Sequence, residues 1–251
     1  MTSIGRFVAG AVGVALLAVH PSRAEAQKGG GDGYLFRAPR GSVSLRFGVA
    51  KPSENSNIYS FTNEQLTINH GDFAGLSGAV EADLNIHSRF ALVGGVAVTG
   101  RDKHSEYREF VDNDDLPIEQ KTSLLRVPVT AGFKAYLVPL GRAVGRFAWV
   151  PNKISAYLGA GGGAVYYSFK QSGDFIDFQD MAVFPSELES SGWTGTLYGS
   201  AGVNYSLSSR VGLVTEWRYD GANANMSSDY QGFERIDLSG MSLTAGLHFR
   251  F

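Results

Sequence analysis

The C-terminal segment "LTAGLHFRF", residues 243–251, alternates apolar and polar positions throughout. One set consists of Leu243, Ala245, Leu247, Phe249 and Phe251, and the other of Thr244, Gly246, His248 and Arg250. Successive side chains of a β-strand point to opposite faces, so this period of two predicts a strand with one apolar and one polar face. The segment ends on an aromatic residue, whereas most domains end in a frayed polar tail.

Seven more segments repeat this alternation. They comprise residues 42–50, 76–86, 89–100, 124–137, 154–169, 196–207 and 210–220. Each is long enough to cross a membrane as a tilted strand of about 9 to 11 residues. The predicted fold is all-β, an eight-stranded antiparallel up-and-down transmembrane β-barrel, with the even strand number of bacterial single-chain barrels. Pro128 predicts a bulge in one strand, and glycines 161–163 leave the faces of another unassigned.

The connections between these segments differ in length. Residues 85–89 and 206–210 are tight turns, whereas longer connections are polar and rich in Asn, Asp, Ser and Gly. The longer connections are residues 51–73, 101–121, 170–192 and 221–236. Short periplasmic turns and long extracellular loops are typical of outer-membrane barrels. Residues 138–153 break this alternation, and two interpretations stay open: an elaborated periplasmic loop, or a wrong strand count.

Charged residues of both signs lie on the polar face of the predicted strands. They are Arg46, Glu81, Asp83, Arg126, Lys134, Glu216 and Arg218. A soluble lipocalin-like barrel would have an apolar lumen and a polar exterior, so the question is which face lies inside. Opposite charges can neutralise each other across a narrow lumen, and aromatic residues near the ends of the apolar face fit girdles at lipid interfaces. The pattern therefore predicts a polar interior network and an apolar, lipid-facing exterior.

The N-terminal residues have the order of a secretory signal peptide. Residues 7–19 form an apolar run, and Ala24 and Ala26 make an A-x-A cleavage site. A transmembrane anchor is the alternative, but this run is shorter than the roughly 20 residues that span a bilayer. The expected division is a cleaved signal peptide at residues 1–26, a flexible lead-in at 27–39 and the barrel at 40–251. Export through the periplasm and an apolar exterior together predict the bacterial outer membrane as the destination.

Composition narrows the remaining classes of protein. The 251 residues are 43% hydrophobic and 18% charged, which is typical of an ordered domain. Glycine occurs 32 times without a G-X-Y period, which indicates crowded or bent backbone and excludes collagen. The formal charge of −2 gives no basic footprint for nucleic acid. The lack of cysteine excludes disulfides, thiolate catalysis and cysteine metal sites.

These segments resemble the OmpA/OmpX-type small outer-membrane β-barrels over residues 40–251. The resemblance rests on "RVPVTAGFKAYL", "AYLGAGGGAVYY", "GLVTEWRY" and the terminal strand. It implies that Gly246, Phe249 and Phe251 form an assembly signal, because the last strand of that family carries a Gly followed by aromatics at the third-last and last positions. The implied partners are the barrel-assembly machinery during biogenesis, and then outer-membrane lipid and lipopolysaccharide around a monomer.

Few residues fit a catalytic role. His70 near Asp72, and His104 near Asp102 and Glu106, lie in predicted outer loops where a general base could act. No His-x-Ser arrangement on a strand supplies a base and a nucleophile together. We therefore expect no enzyme activity.

Two further features have simpler explanations than a binding site. His248 lies on the inward face of the last strand, where a hydrogen-bonded histidine is more common than a metal ligand. The run "DNDD", residues 112–115, lacks the glycine and the distal Glu of a calcium loop. We therefore expect neither a metal nor a cofactor.

Three functions are compatible with these patterns. The favoured one is a structural or surface-interaction scaffold with a plugged polar lumen, because long outer loops with aromatic residues are suited to recognition. The loop aromatics are Tyr107, Phe110, Phe175, Phe178 and Phe184. The alternatives are a small-solute or hydrophobic-compound channel, and an outer-rim lipid-modifying enzyme or protease. Side chains can fill the interior of an eight-stranded barrel, which disfavours the channel.

Overall fold

The computed structural model describes residues 33–112, 114–178 and 181–251. The elements are β1 Gly41–Pro52, α1 Asn57–Gln65, β2 Gly75–His87, β3 Phe90–Val111, β4 Pro117–Tyr136, β5 Gly141–Val144, β6 Ala148–Pro151, β7 Ile154–Ile176, β8 Val183–Ser206, β9 Val211–Ala224, a 3-10 helix Ser228–Tyr230, β10 Ile236–Asp237 and β11 Gly240–Arg250. Within these ranges, no helix is both long and apolar enough to cross a membrane. The expected signal peptide, with its cleavage site at Ala24 and Ala26, lies outside the described residues.

Eight of the strands close into one antiparallel barrel. Around the ring the order is β1, β2, β3, β4, β7, β8, β9 and β11, and each strand pairs with the next. The ring closes because β11 pairs with β1, from Ser42 opposite Arg250 to Pro52 opposite Gly240. The short β10 lies beside β9. The prediction of an eight-stranded antiparallel up-and-down barrel is confirmed.

The ring strands bury polar side chains and expose apolar ones. In β9, Glu216 and Arg218 are buried, whereas Trp217 between them is 47% exposed. In β4, Lys134 is buried and Phe133 is 60% exposed. Soluble proteins do the opposite, and this reversal is expected of a barrel with a polar lumen in lipid. The charged face of the strands therefore lines the interior of this barrel.

Four strands extend well beyond the length that a membrane requires. β7 has 23 residues and β8 has 24, whereas about 9 to 11 span a bilayer as a tilted strand. The prediction that residues 101–121 and 170–192 are loops is therefore wrong, because apart from their tips they form the outer halves of two hairpins. Their polar composition is typical of a loop. Buried and exposed side chains still alternate along them, however, with Ser105 and Tyr107 buried and Glu106 exposed.

Residues 51–73, predicted as a loop, contain α1, which closes the outer half of the barrel. Tyr59 of this helix is fully buried, and its ring packs edge to face against Phe169 of β7 at 6.2 Å. The Tyr59 hydroxyl donates to the Asp237 carbonyl at 3.2 Å. Helix side chains join lumen-facing side chains of β4, β7 and β9 in one apolar core. The outer lumen is thus apolar, although the sequence predicts a polar one.

Residues 138–153 contain a separate hairpin of β5 and β6 outside the ring. Gly145 in its turn has φ +66°, a conformation that favours glycine. Leu35, in the expected lead-in, pairs with Trp149 of β6 through two backbone hydrogen bonds of 2.7 and 2.8 Å. Trp149 belongs to a second buried cluster that includes Tyr136. The connection is therefore an elaborated loop, and the count of ring strands is unaffected.

Pro128 does not produce the predicted bulge. Pairing between β3 and β4 is interrupted beside Pro128, but it resumes in the same register, from Val96 opposite Val129 to Thr99 opposite Arg126. On its other side, β4 stays in register with β7. Proline lacks the backbone N–H donor. The neighbouring residue pairs keep β4 in register with β3 and β7, so no extra residue bulges out of the strand here.

Candidate functional site: a closed lumen and its outer mouth

The Glu81 carboxylate of β2 is the centre of the polar lumen. Arg46 of β1 donates to it through two guanidinium nitrogens, at 2.9 and 3.3 Å. Lys134 of β4 binds the same carboxylate, and it binds Asp83 at 3.0 Å. Glu81 is only 4% exposed, so these interactions are shielded from water. They join three strands across the lumen.

Arg46 connects this group to β9, which lies two strands away round the ring. Its Nη2 atom lies 2.9 Å from the Glu216 carboxylate of β9. The Tyr157 hydroxyl of β7 donates to the other Glu216 oxygen at 2.8 Å. The Lys134 ammonium group lies 4.7 Å from the centre of the Tyr157 ring, which is a cation–π contact. A continuous network therefore crosses the lumen from β1 and β2 to β7 and β9.

The other two cations of the predicted network have separate partners. Arg218 forms a bidentate ion pair with Asp220, with N···O distances of 2.6 to 3.0 Å. Its guanidinium lies 3.8 Å from the centre of the Tyr198 ring. Arg126 donates to the backbone carbonyl of Leu238 at 2.8 Å. All the predicted interior residues are buried, but they form three groups rather than one.

Glycines leave space for two tyrosines in the lumen, Tyr157 and Tyr198. Neither tyrosine is predicted from the sequence as a site residue. A Cβ atom at Gly161 would lie 2.7 Å from the Tyr198 ring, and one at Gly202 would overlap the Tyr157 ring. Such contacts are closer than real Cβ atoms make. Gly161 therefore faces the lumen, whereas Gly162 faces outward against Leu197. This assigns the strand face that the glycine run leaves open.

His248 faces the lumen near the end of β11 and is buried. A Cβ atom at Gly212 would lie 2.8 Å from its Nε2 atom, so the glycine leaves space for the imidazole. In the described part of the chain, no group of three or more His, Cys, Asp or Glu side chains could hold a metal ion. The geometry gives His248 a packing role.

His70 is not paired with the neighbouring Asp72. His70 is 70% exposed and lies 3.4 Å from Glu54, whereas Asp72 pairs with Lys103 at 3.2 Å. The Asn69 N–H also donates to Asp72, and this bond together with Lys103 holds the pKa of the Asp72 carboxyl below its usual value. A carboxylate stabilised in its ionised form is a weak proton acceptor, so the pair does not form a general-base site.

The second histidine considered for catalysis has a cation as its neighbour. His104 is exposed and lies opposite Lys121 in the register of β3 and β4. Lys121 forms an ion pair with Asp102 at 2.9 Å, and Glu106 is exposed further along the strand. The acidic residues therefore do not orient the imidazole for proton transfer.

The acidic run at residues 112–115 contributes to the turn between β3 and β4. The Asp112 carboxylate accepts hydrogen bonds from the N–H groups of Asp114 at 2.9 Å and Leu116 at 2.8 Å. Asp115 has φ +60°, a left-handed conformation that aspartate tolerates. Asn113 lies outside the described residues. The Asp112 carboxylate thus caps the turn between β3 and β4.

The loop aromatics surround a pocket at the outer mouth. The pocket has a volume of about 190 Å³ and lies between α1, the β7–β8 hairpin and the 3-10 helix. The loop aromatics that line it are Tyr107, Phe175 and Phe178. Phe110 packs behind them against the apolar core, and Phe184 is exposed and stacks on Phe175. Most of these rings therefore pack on the barrel rather than project from loops.

The outer surface of the ring carries large exposed apolar side chains on adjacent strands. They include Phe47 of β1, Leu76 of β2, Phe133 of β4, Leu197 of β8, Trp217 of β9 and Leu243 of β11. A soluble monomer rarely exposes an apolar patch of more than a few hundred Å². This surface, here named the apolar belt, is suited to contact with lipid.

Phe251 ties the ends of β1 and β11 together. Its carbonyl accepts hydrogen bonds from the N–H groups of Arg40 at 2.7 Å and Gly41 at 3.3 Å, and its own N–H donates to the Gly41 carbonyl at 3.0 Å. The Phe251 ring is 61% exposed, and Phe249 is exposed on the same face. Gly246 lies opposite Arg46 in this seam. The role of these residues as an assembly signal stays a prediction.

We expect deletion of Phe251 to leave unassembled, protease-sensitive chains in the periplasm. The deletion removes the backbone hydrogen bonds of Phe251 and the last exposed ring of the apolar belt. Heat-modifiable migration and protease resistance of the outer-membrane fraction measure assembly. Phe147→Ala is the control, because Phe147 is also exposed but lies between β5 and β6, outside the seam. A normal yield of folded barrel after the deletion would contradict the expectation.

No protein-family model matches the chain, and no curated protein matches it. Among solved structures, the outer membrane protein OprG from Pseudomonas aeruginosa is 12% identical over 86% of this chain and 99% of its own, with a TM-score of 0.46. Neisserial surface protein A (NspA) is 16% identical over 84% of this chain and 97% of its own, with a TM-score of 0.42. Ail, the attachment invasion locus protein of Yersinia pestis, is 14% identical over 84% of this chain and 99% of its own, with a TM-score of 0.41.

These similar structures are outer-membrane β-barrel proteins, the class that the sequence resemblance names. Their identities lie between 12% and 16%, and their TM-scores are below 0.5. A likeness at this level does not transfer a ligand or an activity. The function of this chain is therefore argued from its own residues.

Proposed function

We propose that the chain is a bacterial outer-membrane β-barrel protein with a closed lumen, which acts as a structural or surface-interaction scaffold. The reversal of polarity supports the location, because the charged face lies inside and the apolar belt lies outside. Outer-membrane lipid and lipopolysaccharide would cover the belt, and the barrel-assembly machinery would read the last strand. The ring closes on itself through β1 and β11, which suits a monomer.

The observation that carries the scaffold proposal is closure of the lumen at two levels. At the first level, the network of Arg46, Glu81 and Glu216 crosses the lumen. At the second level, α1 and the apolar core fill the outer half. The cavity between them, bordered by Arg46, Glu216 and Leu238, has a volume of about 40 Å³. A cavity needs about 10 to 15 Å³ of such space to hold one water molecule, so this one admits only a few waters and a solute would have to displace both levels.

Opening the first level would be energetically costly. A buried ion pair that loses one partner destabilises a protein by about 3 to 5 kcal/mol. Arg46 and Lys134 each bind two carboxylates, so a path through the network would separate several such pairs. This cost supports permanent closure rather than gating.

The outer hairpins support a role in surface interaction. β7 and β8 pair continuously from Ile154 opposite Tyr205 to Ile176 opposite Val183. This ladder carries the hairpin tip well beyond the apolar belt on regular hydrogen-bonded strands. Binding residues commonly lie on exposed segments that a rigid scaffold positions. The surface ligand would meet these hairpins.

The two alternative functions find less support. A small-solute or hydrophobic-compound channel needs a continuous path, which the two levels of closure oppose. An outer-rim lipid-modifying enzyme or protease needs a base beside a nucleophile, whereas His70 contacts Glu54 and His104 lies opposite Lys121. The expectation of no enzyme activity stays a prediction.

Planar-bilayer recording separates the scaffold from the channel. We expect the folded protein to give no steady single-channel current in potassium chloride, because both levels of closure are in place. A variant in which a Gly-Ser linker of equal length replaces Asn57–Gln65 should also give no steady current, since the ion-pair network remains. Large, steady open currents from the unaltered protein would overturn the proposal and favour the channel.

A further inference from the structure

We infer that the pocket at the outer mouth binds a small neutral aromatic molecule. Its volume is about 190 Å³, whereas an engineered apolar cavity of about 150 Å³ in another protein binds benzene. One aromatic ring with a small substituent therefore fits. This inference goes beyond the scaffold proposal and does not depend on it.

Two groups of aromatic side chains flank the pocket. One group is Phe61, Tyr230 and Phe233, and the other is Tyr107 and Phe178, which Phe110 joins from behind. Within each group the rings meet edge to face, with centroids 5.4 to 6.4 Å apart. No ring pair joins the two groups in the ranges that the structure describes. A ring bound between them could contact both groups in the edge-to-face or offset geometry that aromatic pairs prefer.

The pocket lining selects against an anionic ligand. Besides the hydroxyls of Tyr107 and Tyr230, its polar side chains are Thr62, Gln65, Gln120, Gln171 and Asp229, and the described lining contains no Lys or Arg. A ligand carboxylate would lose water without gaining a cationic partner, which is costly.

The described lining gives a cationic ligand aromatic faces but no buried carboxylate. The one carboxylate of the described lining, Asp229, is exposed and accepts a hydrogen bond from the Glu189 N–H at 3.1 Å. Its interaction with a cation would be screened by water. A neutral ring is left as the best match, and a hydroxyl on that ring could donate to Asp229 or to a glutamine amide oxygen.

The pocket opens outward and has a closed floor. Phe61 and Phe178 at its rim are 39% and 51% exposed. Ile58, Leu66 and Ile176 at its base are buried and belong to the apolar core that closes the barrel. A ligand would therefore enter from outside and leave by the same way, so binding needs no path through the lumen.

Ligand-observed ¹⁹F NMR with 4-fluorophenol tests the inference on the full chain, folded in detergent. We expect saturable binding that phenol displaces and that a tenfold higher concentration of benzoate does not. Leu188→Trp should weaken binding at least tenfold, because Leu188 is half-buried in the pocket lining and the larger side chain fills the space. Leu197→Trp is the matched control, since Leu197 lies on the same strand but faces outward and should leave binding unchanged.

A second variant covers the case in which Leu188→Trp fails to fold, which heat-modifiable migration reports. Phe233→Ala removes a ring that packs 5.4 Å from Phe61, and it should also weaken binding of 4-fluorophenol. Absence of saturable binding by the unaltered protein, or unweakened binding by every one of the two variants that folds, would overturn the inference. Equal displacement by benzoate, or displacement by benzyltrimethylammonium but not by phenol, would overturn the neutral class. None of these outcomes changes the bilayer recording that tests the scaffold.

Discussion

Replacing Glu81 with alanine is expected to destabilise the barrel by about 3 to 5 kcal/mol. The substitution removes the carboxylate that Arg46 and Lys134 both bind in the buried lumen. Each cation keeps one acidic partner, Glu216 for Arg46 and Asp83 for Lys134. These partners limit the loss of stability. The two buried cations nevertheless have fewer carboxylates to compensate their charges.

Urea unfolding of the barrel in lipid vesicles, followed by tryptophan fluorescence and heat-modifiable migration, measures this change in unfolding free energy. Glu187→Ala is the matched control, because Glu187 also pairs with a lysine, Lys170, but on the exposed surface. An exposed pair contributes about 0 to 1 kcal/mol. If the two substitutions had equal effects, the Glu81 pairs would have to be hydrated like surface pairs, and the closed lumen would be contradicted.

The ring of strands could be predicted from the sequence because lipid and a polar lumen impose opposite demands on alternate residues. In β9, Trp217 faces outward between Glu216 and Arg218, and each change of face is a change of polarity. β1, β2, β4, β8 and β11 have the same contrast at the level of the apolar belt, whereas β3 buries Ala91 and Val93 there. The contrast therefore marks most crossings of the membrane, whatever the length of the strand on either side.

The outer part of the fold could not be predicted in this way. Above the apolar belt, β3, β4, β7 and β8 expose polar side chains to water, so their outward face no longer differs from a loop. α1 has 9 residues, which is too short for a helical period to stand out. Its burial depends on contacts such as that between Tyr59 and Phe169, which are far apart in the sequence.

The interior residues could be predicted, but the pairs between non-adjacent strands could not. Strand order places β3 between β2 and β4, yet Lys134 of β4 reaches Glu81 of β2. The residue of β3 opposite Glu81 is Gly95, which has no side chain to obstruct this contact. Arg46 likewise reaches Glu216 across β11, where Gly246 lies opposite Arg46. Partner choice thus depends on side-chain reach and on small residues in the intervening strand, which the alternation does not encode.

Gly246→Ala is expected to destabilise the closing seam by about 3 kcal/mol or to prevent folding, since overpacking costs about 1 to 3 kcal/mol and occasionally more. A Cβ atom at Gly246 would lie 2.7 Å from the Arg46 Cα atom and still closer to the Leu45 carbonyl oxygen. Both are backbone atoms of β1, so they cannot move without disturbing the pairing of β1 with β11. Gly199→Ala in β8 is the matched control, because a Cβ atom there would meet nothing within 4 Å.

Refolding both variants from urea into detergent micelles, without any assembly machinery, separates the packing role of Gly246 from its implied role in an assembly signal. Gly199→Ala should change the unfolding free energy by no more than about 0.5 kcal/mol, as surface substitutions usually do. If Gly246→Ala refolds poorly in this experiment, the defect arises from the close approach of β11 to Leu45 and Arg46. If it refolds as well as Gly199→Ala and fails only in cells, the packing argument is wrong and recognition of the last strand is the reason for the glycine.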